Sequence, residues 1–155
     1  MIRLIQNPLA VSWRTRPLAI AVLCAAASTS LLAQAPRPVS ITGLDYAFQA
    51  PDTLPAGPAI FSLLNRGTVR HEMVIYILNE GKTLGDYLRA TSAEERRSLG
   101  RAVGLILAEP GQPSLGHLMV DLVKGQSYIF LCNLRDAPDK PSHNMLGMGK
   151  ALTIK

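Results

Sequence analysis

The stretch FLCNLRDAPDKPSHNMLGMGKALTIK, residues 130–155, places Cys132, His143, Met145 and Met148 just ahead of an alternating, strand-like tail. The whole chain holds 2 cysteines, 3 histidines and 5 methionines in 155 residues, so this is a marked concentration of soft and borderline metal donors. A further donor, His71, stands in NRGTVRHEMVIYIL, after a turn signal and at the start of a strand pattern. If that turn and the last loop share one end of a sandwich, His71, Cys132, His143 and Met148 converge. Two imidazoles, one thiolate and a weak thioether suit copper. The thiolate and imidazoles bind near one plane, and the methionine sulfur is a long axial ligand. Zinc accepts Cys and His as well, but structural zinc sites usually offer more than one thiolate and no Met.

The elements that must position these donors read as strands. Alternation and β-branched or aromatic residues predict strands near Val39–Gln49, Ala59–Asn65, Glu72–Leu78, Leu118–Leu122, Ser127–Cys132 and Gly149–Ile154. Turn signals separate them at Pro55-Ala56-Gly57-Pro58, Asn65-Arg66-Gly67 and Lys124-Gly125. Between Asn79 and His117 the pattern changes. LGDYLRATSAEERRSLGRAVGLIL has helical character, and Ser92-Ala93-Glu94-Glu95 fits a capping box, with Gly100 and Gly104 weakening the end of that helix. The expected architecture is an all-β sandwich with a helical insertion at about residues 81–110. The charged side of that insertion (Arg96, Arg97 and Arg101 near Glu94 and Glu95) reads as a solvated helix face.

Residues 1–35 read as an export signal. Arg3, Arg14 and Arg16 precede an apolar run from Pro17 to Ala33, small residues follow, and no acid occurs before Asp45. The run falls short of the roughly 20 apolar residues of a spanning helix, so an uncleaved anchor is the second reading. Leu23 before Cys24 is too bulky for a lipoprotein signal. Cleavage after Ala33 or Ala35 removes three of the 16 basic residues and none of the 11 acids, leaving 13 − 11 = +2 from a formal +5. The sequence pI of 9.6 therefore overstates the basicity of residues 36–155, the expected mature domain, and no basic stripe with interleaved aromatics supports nucleic-acid binding. Trp13 and Cys24 leave with the leader. Cys132 is then a lone thiol in an oxidising compartment, which points to a ligating or reactive role or to pairing between chains. Its ordinary alternative is a small buried hydrophobe.

At these residues the chain resembles the cupredoxins, the type 1 copper proteins. Asn65-Arg66-Gly67 precedes His71, and Cys132, His143 and Met148 arrive in that order before ALTIK, with four residues between His143 and Met148. The resemblance implies an exported Greek-key β-sandwich. It also implies one type 1 copper ion held by His71, Cys132 and His143 with Met148 as the axial ligand. The link NLRDAPDKPS puts ten residues between Cys132 and His143, longer than the family's usual link. Such an excursion can return to its origin at modest entropic cost, and Pro138 and Pro141 restrict it.

Taken singly, these residues have plainer readings. His71 can cap its turn, His143 can be an exposed loop residue, and Met145 and Met148 can fill the core. His117 reads as structural or exposed. Three functions follow. The first is one-electron transfer with a redox partner protein, without membrane attachment once the leader is gone. The second is periplasmic copper handling, in which Met145 adds a donor for Cu(I). The third is a metal-free binding module. A hydrolase on Cys132 and His143 lacks a catalytic acid and an oxyanion motif, so the chain is not expected to be an enzyme.

Overall fold

The computed structural model describes residues 34–155, which fall within one unit. The expected leader, apart from Gln34 and Ala35, lies outside the described residues. Among the described residues nine strands form two sheets. The first sheet has the order β2-β1-β4-β7, from β1 (Arg37–Leu44), β2 (Ala47–Gln49), β4 (Gly57–Asn65) and β7 (Leu118–Leu122). The second has the order β3-β9-β8-β5-β6, from β3 (Thr53–Leu54), β5 (His71–Leu78), β6 (Gly100–Ala108), β8 (Ser127–Leu131) and β9 (Gly149–Ile154). Each sheet is mixed, because β1 runs parallel to β4 and β3 parallel to β9.

Side chains alternate across a strand, and the apolar pattern follows that rule. Val39 and Ile41 of β1 and Ala59, Phe61 and Leu63 of β4 face inward from the first sheet. Met73 and Ile75 of β5 and Tyr128 and Phe130 of β8 meet them from the second. Phe130 contacts the Phe61 ring edge-on, with centroids 5.7 Å apart.

The outer face of the second sheet is covered too. Helices α1 (Leu84–Arg89) and α2 (Ala93–Leu99) contribute Leu84, Tyr87, Leu88 and Leu99, which pack with Tyr76, Leu78, Ile129 and Leu131. This explains why β5 and β8 read as nearly continuous apolar runs: both of their faces are buried. The expected capping box is present on α2, with Ser92 and Glu95 exchanging bonds. Thr83 and Asp86 form a second box on α1, which the sequence reading did not single out.

Besides the two-residue β3, which was not among the expected strands, two elements differ from the sequence expectation. Helix is confined to residues 84–99 of the insertion, and Gly100–Ala108 is a strand paired antiparallel with β5. β-Branched Val103 and Ile106 and two glycines disfavour helix here, and the open edge of β5 supplies hydrogen-bond partners for the backbone. Gly100 is needed at the junction, because a Cβ there would lie 2.2 Å from the Ile77 carbonyl oxygen. The expected strand Val39–Gln49 is a hairpin turning at Asp45-Tyr46, with Leu44 opposite Ala47. Among the described residues no helix is long and apolar enough to cross a membrane.

Candidate metal centre

Strand parity and direction bring the predicted donors to one end of the sandwich. β5 and β8 are antiparallel with Val74 opposite Leu131, so the start of β5 meets the end of β8. His71 shares the inward parity of Met73 and Ile75, and Cys132 that of Tyr128 and Phe130. Leu131 pairs with Gly149, which sets Met148 beside Cys132. The 3₁₀ turn His143–Leu146 lies between them. Backbone bonds close the arrangement: Cys132 N–H donates to the Met148 carbonyl at 3.2 Å, Asn144 N–H to that of Cys132 at 2.7 Å, and Met148 N–H to that of His143 at 2.9 Å.

The turn before His71 is equally specified. Asn65 is fully buried; its amide donates to the carbonyls of Val69 (2.8 Å) and Ala108 (3.0 Å), and its carbonyl accepts from Gly67 N–H at 2.8 Å. Gly67 passes directly against the site. A Cβ there would lie 2.1 Å from Asp45 Oδ1 and 2.8 Å from His71 Nε2.

His71, Cys132 and His143 are all buried, and their ligand atoms lie within 4.8 Å of one another. Nδ1 of His143 is 3.2 Å from Nδ1 of His71 and 3.3 Å from the Cys132 sulfur, which also accepts the Glu72 N–H at 3.4 Å. The far nitrogens each meet a carboxylate: His71 Nε2 lies 3.0 Å from Asp45 Oδ1, and His143 Nε2 lies 2.9 Å from Asp136 Oδ1. Met148 is fully buried, and its methyl and the His71 ring both lie against the face of Gly43, at 3.4 and 3.6 Å from where a Cβ would stand. Met145, by contrast, is 56% exposed. His117 lies in the exposed turn before β7, apart from this group.

The electrostatics assign the protons. Burial alone would raise the Asp45 carboxyl, but hydrogen bonds from the Thr68 hydroxyl and backbone and from His71 outweigh it and bring it down to about 2. Hydrogen bonds from Tyr46 and His143 hold Asp136 low as well. Both carboxylates are therefore ionised acceptors at neutral pH, and each Nε2 must donate. Burial pulls His71 down, which favours its neutral form despite Asp45. A neutral imidazole that donates through Nε2 turns its Nδ1 lone pair inward, and His71 and His143 face each other through Nδ1 at 3.2 Å, where a cation between them could be held by both. Burial pushes the Cys132 thiol up to about 11, so without a metal it keeps its proton. A buried pair of imidazole nitrogens with one sulfur fits a thiophilic metal of the copper or zinc type.

Four contributors were not singled out from the sequence: Asp45, Tyr46, Glu72 and Asp136. Glu72 Oε1 accepts the Asn133 N–H at 2.9 Å and pins the start of the long link. The signal for Asp45 was its place at the tip of a hairpin, hidden while that hairpin was read as one strand.

No protein-family model matches the sequence, and no curated protein does. Solved structures do match. The chain is similar to dithionite-reduced auracyanin from the photosynthetic bacterium Roseiflexus castenholzii, with a TM-score of 0.50 and 19% identity over 79% of this chain and 99% of that one. It is also similar to auracyanin B, with a TM-score of 0.51 and 17% identity over 79% of this chain and 91% of that one. The likeness shows the fold, a cupredoxin-like β-sandwich with a helical insertion.

Proposed function

We propose that this protein is an exported electron-transfer protein that binds one copper ion in a type 1 site. His71 and His143 would supply Nδ1, Cys132 its thiolate and Met148 its thioether to hold the ion. The observation that carries this reading is the pair of facing Nδ1 atoms beside the Cys132 sulfur. Copper, when bound, supplies a one-electron couple. The chain's own residues keep the donors fixed and exclude water, so that little has to rearrange between oxidation states. No bond-making role is assigned to any residue. The likeness in fold to reduced auracyanin and auracyanin B, at low identity, supports the reading at the level of the scaffold.

Burial of all three donors favours a resident cofactor over a cargo ion in transit. Titration of the purified protein with Cu(II), followed by optical absorption and EPR, tests the proposal. The expected result is one ion per chain and an intense visible band from thiolate-to-copper charge transfer. Tight Cu(I) binding without colour would replace electron transfer by copper handling, and no uptake of either ion would leave a metal-free module.

A further inference from the structure

The link between Cys132 and His143 carries Asp136 out over the centre and back. Asp136 Oδ1 lies 2.9 Å from His143 Nε2, and Oδ2 accepts the Tyr46 hydroxyl at 2.6 Å. The Tyr46 ring meets the His143 ring edge-on, with centroids 4.9 Å apart. The His143 side chain is consequently 1% exposed while that of Asp136 is 33% exposed. The outer layer of the centre on this side is Tyr46 and Asp136, with the imidazole beneath them. The link itself is braced: His143 N–H donates to the Leu134 carbonyl at 2.8 Å, Lys140 N–H to that of Ala137 at 3.0 Å, and the Arg135 guanidinium to that of Lys140.

Resting on the copper reading, we infer that Asp136 is a positioning residue for His143. It holds the Nε2–H tautomer, aims Nδ1 into the centre, and places a fixed negative charge that favours oxidised over reduced copper, while Tyr46 latches it in place. Each imidazole then has its own carboxylate, Asp45 from the β1–β2 turn for His71 and Asp136 from the long link for His143. A partner bonded to the far nitrogen of a ligating histidine sets ring orientation and raises ligand basicity. Cu(II) carries one more positive charge than Cu(I), so the same carboxylate attracts it more strongly.

Three variants separate the roles. Asp136→Asn keeps shape and an acceptor but loses the charge, Asp136→Ala loses both, and Tyr46→Phe loses only the latch. Cu(II) and Cu(I) affinities and the midpoint potential are measured on copper-loaded protein, and the His143 tautomer by imidazole ¹⁵N NMR on metal-free protein. Asp136→Ala is expected to weaken Cu(II) binding about 10- to 100-fold. The potential rises by about 59 mV for each tenfold by which Cu(II) loses more affinity than Cu(I). Asp136→Asn should shift the potential in the same direction while retaining the tautomer, and Tyr46→Phe should shift it less. In the metal-free protein, wild type holds Nε2–H and Asp136→Ala populates Nδ1–H. Wild-type affinity and potential in a folded Asp136→Ala would overturn the assignment, as would an Nδ1–H tautomer in wild type. Absence of copper uptake by the wild type would overturn the copper reading, and the NMR comparison would then decide the positioning role by itself.

Discussion

At the scale of single residues, Cys132 carries the largest consequence. It is the one thiol among the described residues, is fully buried and touches both His143 and the backbone of Glu72. Cys132→Ser should abolish the visible band of copper-loaded protein, because oxygen cannot reproduce copper–sulfur covalency; absorption after Cu(II) addition checks this. In the metal-free native protein the same thiol should resist a thiol reagent such as DTNB and react only on unfolding, since burial both shields it and keeps it protonated. The two methionines give an internal comparison. Met148→Leu should keep a coloured site with a shifted potential, because a weak axial donor tunes the ion more than it holds it, whereas exposed Met145→Leu should leave spectrum and potential unchanged. The candidate donors stood out in the sequence because Cys and His are rare there. The carboxylates were not. Asp is common in turns, and the contacts of Asp45 and Asp136 depend on which imidazole nitrogen faces inward, which only the folded chain defines.

At the scale of elements, period-two alternation located most strands, and their parity explains why His71 and Cys132 point the same way. It failed where local and tertiary preferences compete. RAVGLIL follows a well-capped helix and carries apolar residues at spacings both periods accept, and the unpaired edge of β5 decides for strand. Asn65 ties the turn before His71 to β6, so Asn65→Ala should strand the carbonyls of Val69 and Ala108 and the N–H of Gly67. A loss of about 1–3 kcal/mol in urea unfolding is expected, together with weaker metal binding. The α2 cap is more local: Ser92→Ala should cost about 1 kcal/mol and leave the metal centre untouched. Truncating Ile129, buried under the helices on the outer face, should cost about 2–5 kcal/mol as Ile129→Ala, again by urea unfolding.

At the scale of the whole molecule, the candidate donors sit at one end of a sandwich whose apolar core is built from side chains of both sheets, so metal-free protein should be folded and should unfold cooperatively. Copper at about a thousandfold over its dissociation constant should add roughly 4 kcal/mol to stability, read as a higher melting temperature that Cys132→Ser protein fails to share. Mass spectrometry of protein recovered from the exported fraction should show residues 1–33 or 1–35 missing, and an intact N-terminus in membranes would favour the anchor. The backbone bonds from His143 to Leu134 and from Asn144 to Cys132 have a consequence for how such a chain can change. They tie a neck at the base of the link, so the spacing of the donors is set at the neck and not by the length of chain beyond it. Closure cost rises slowly with length. Insertions and deletions between Arg135 and Ser142 can therefore accumulate as they do in the variable loops of a constant framework, provided a carboxylate still returns to lie over His143.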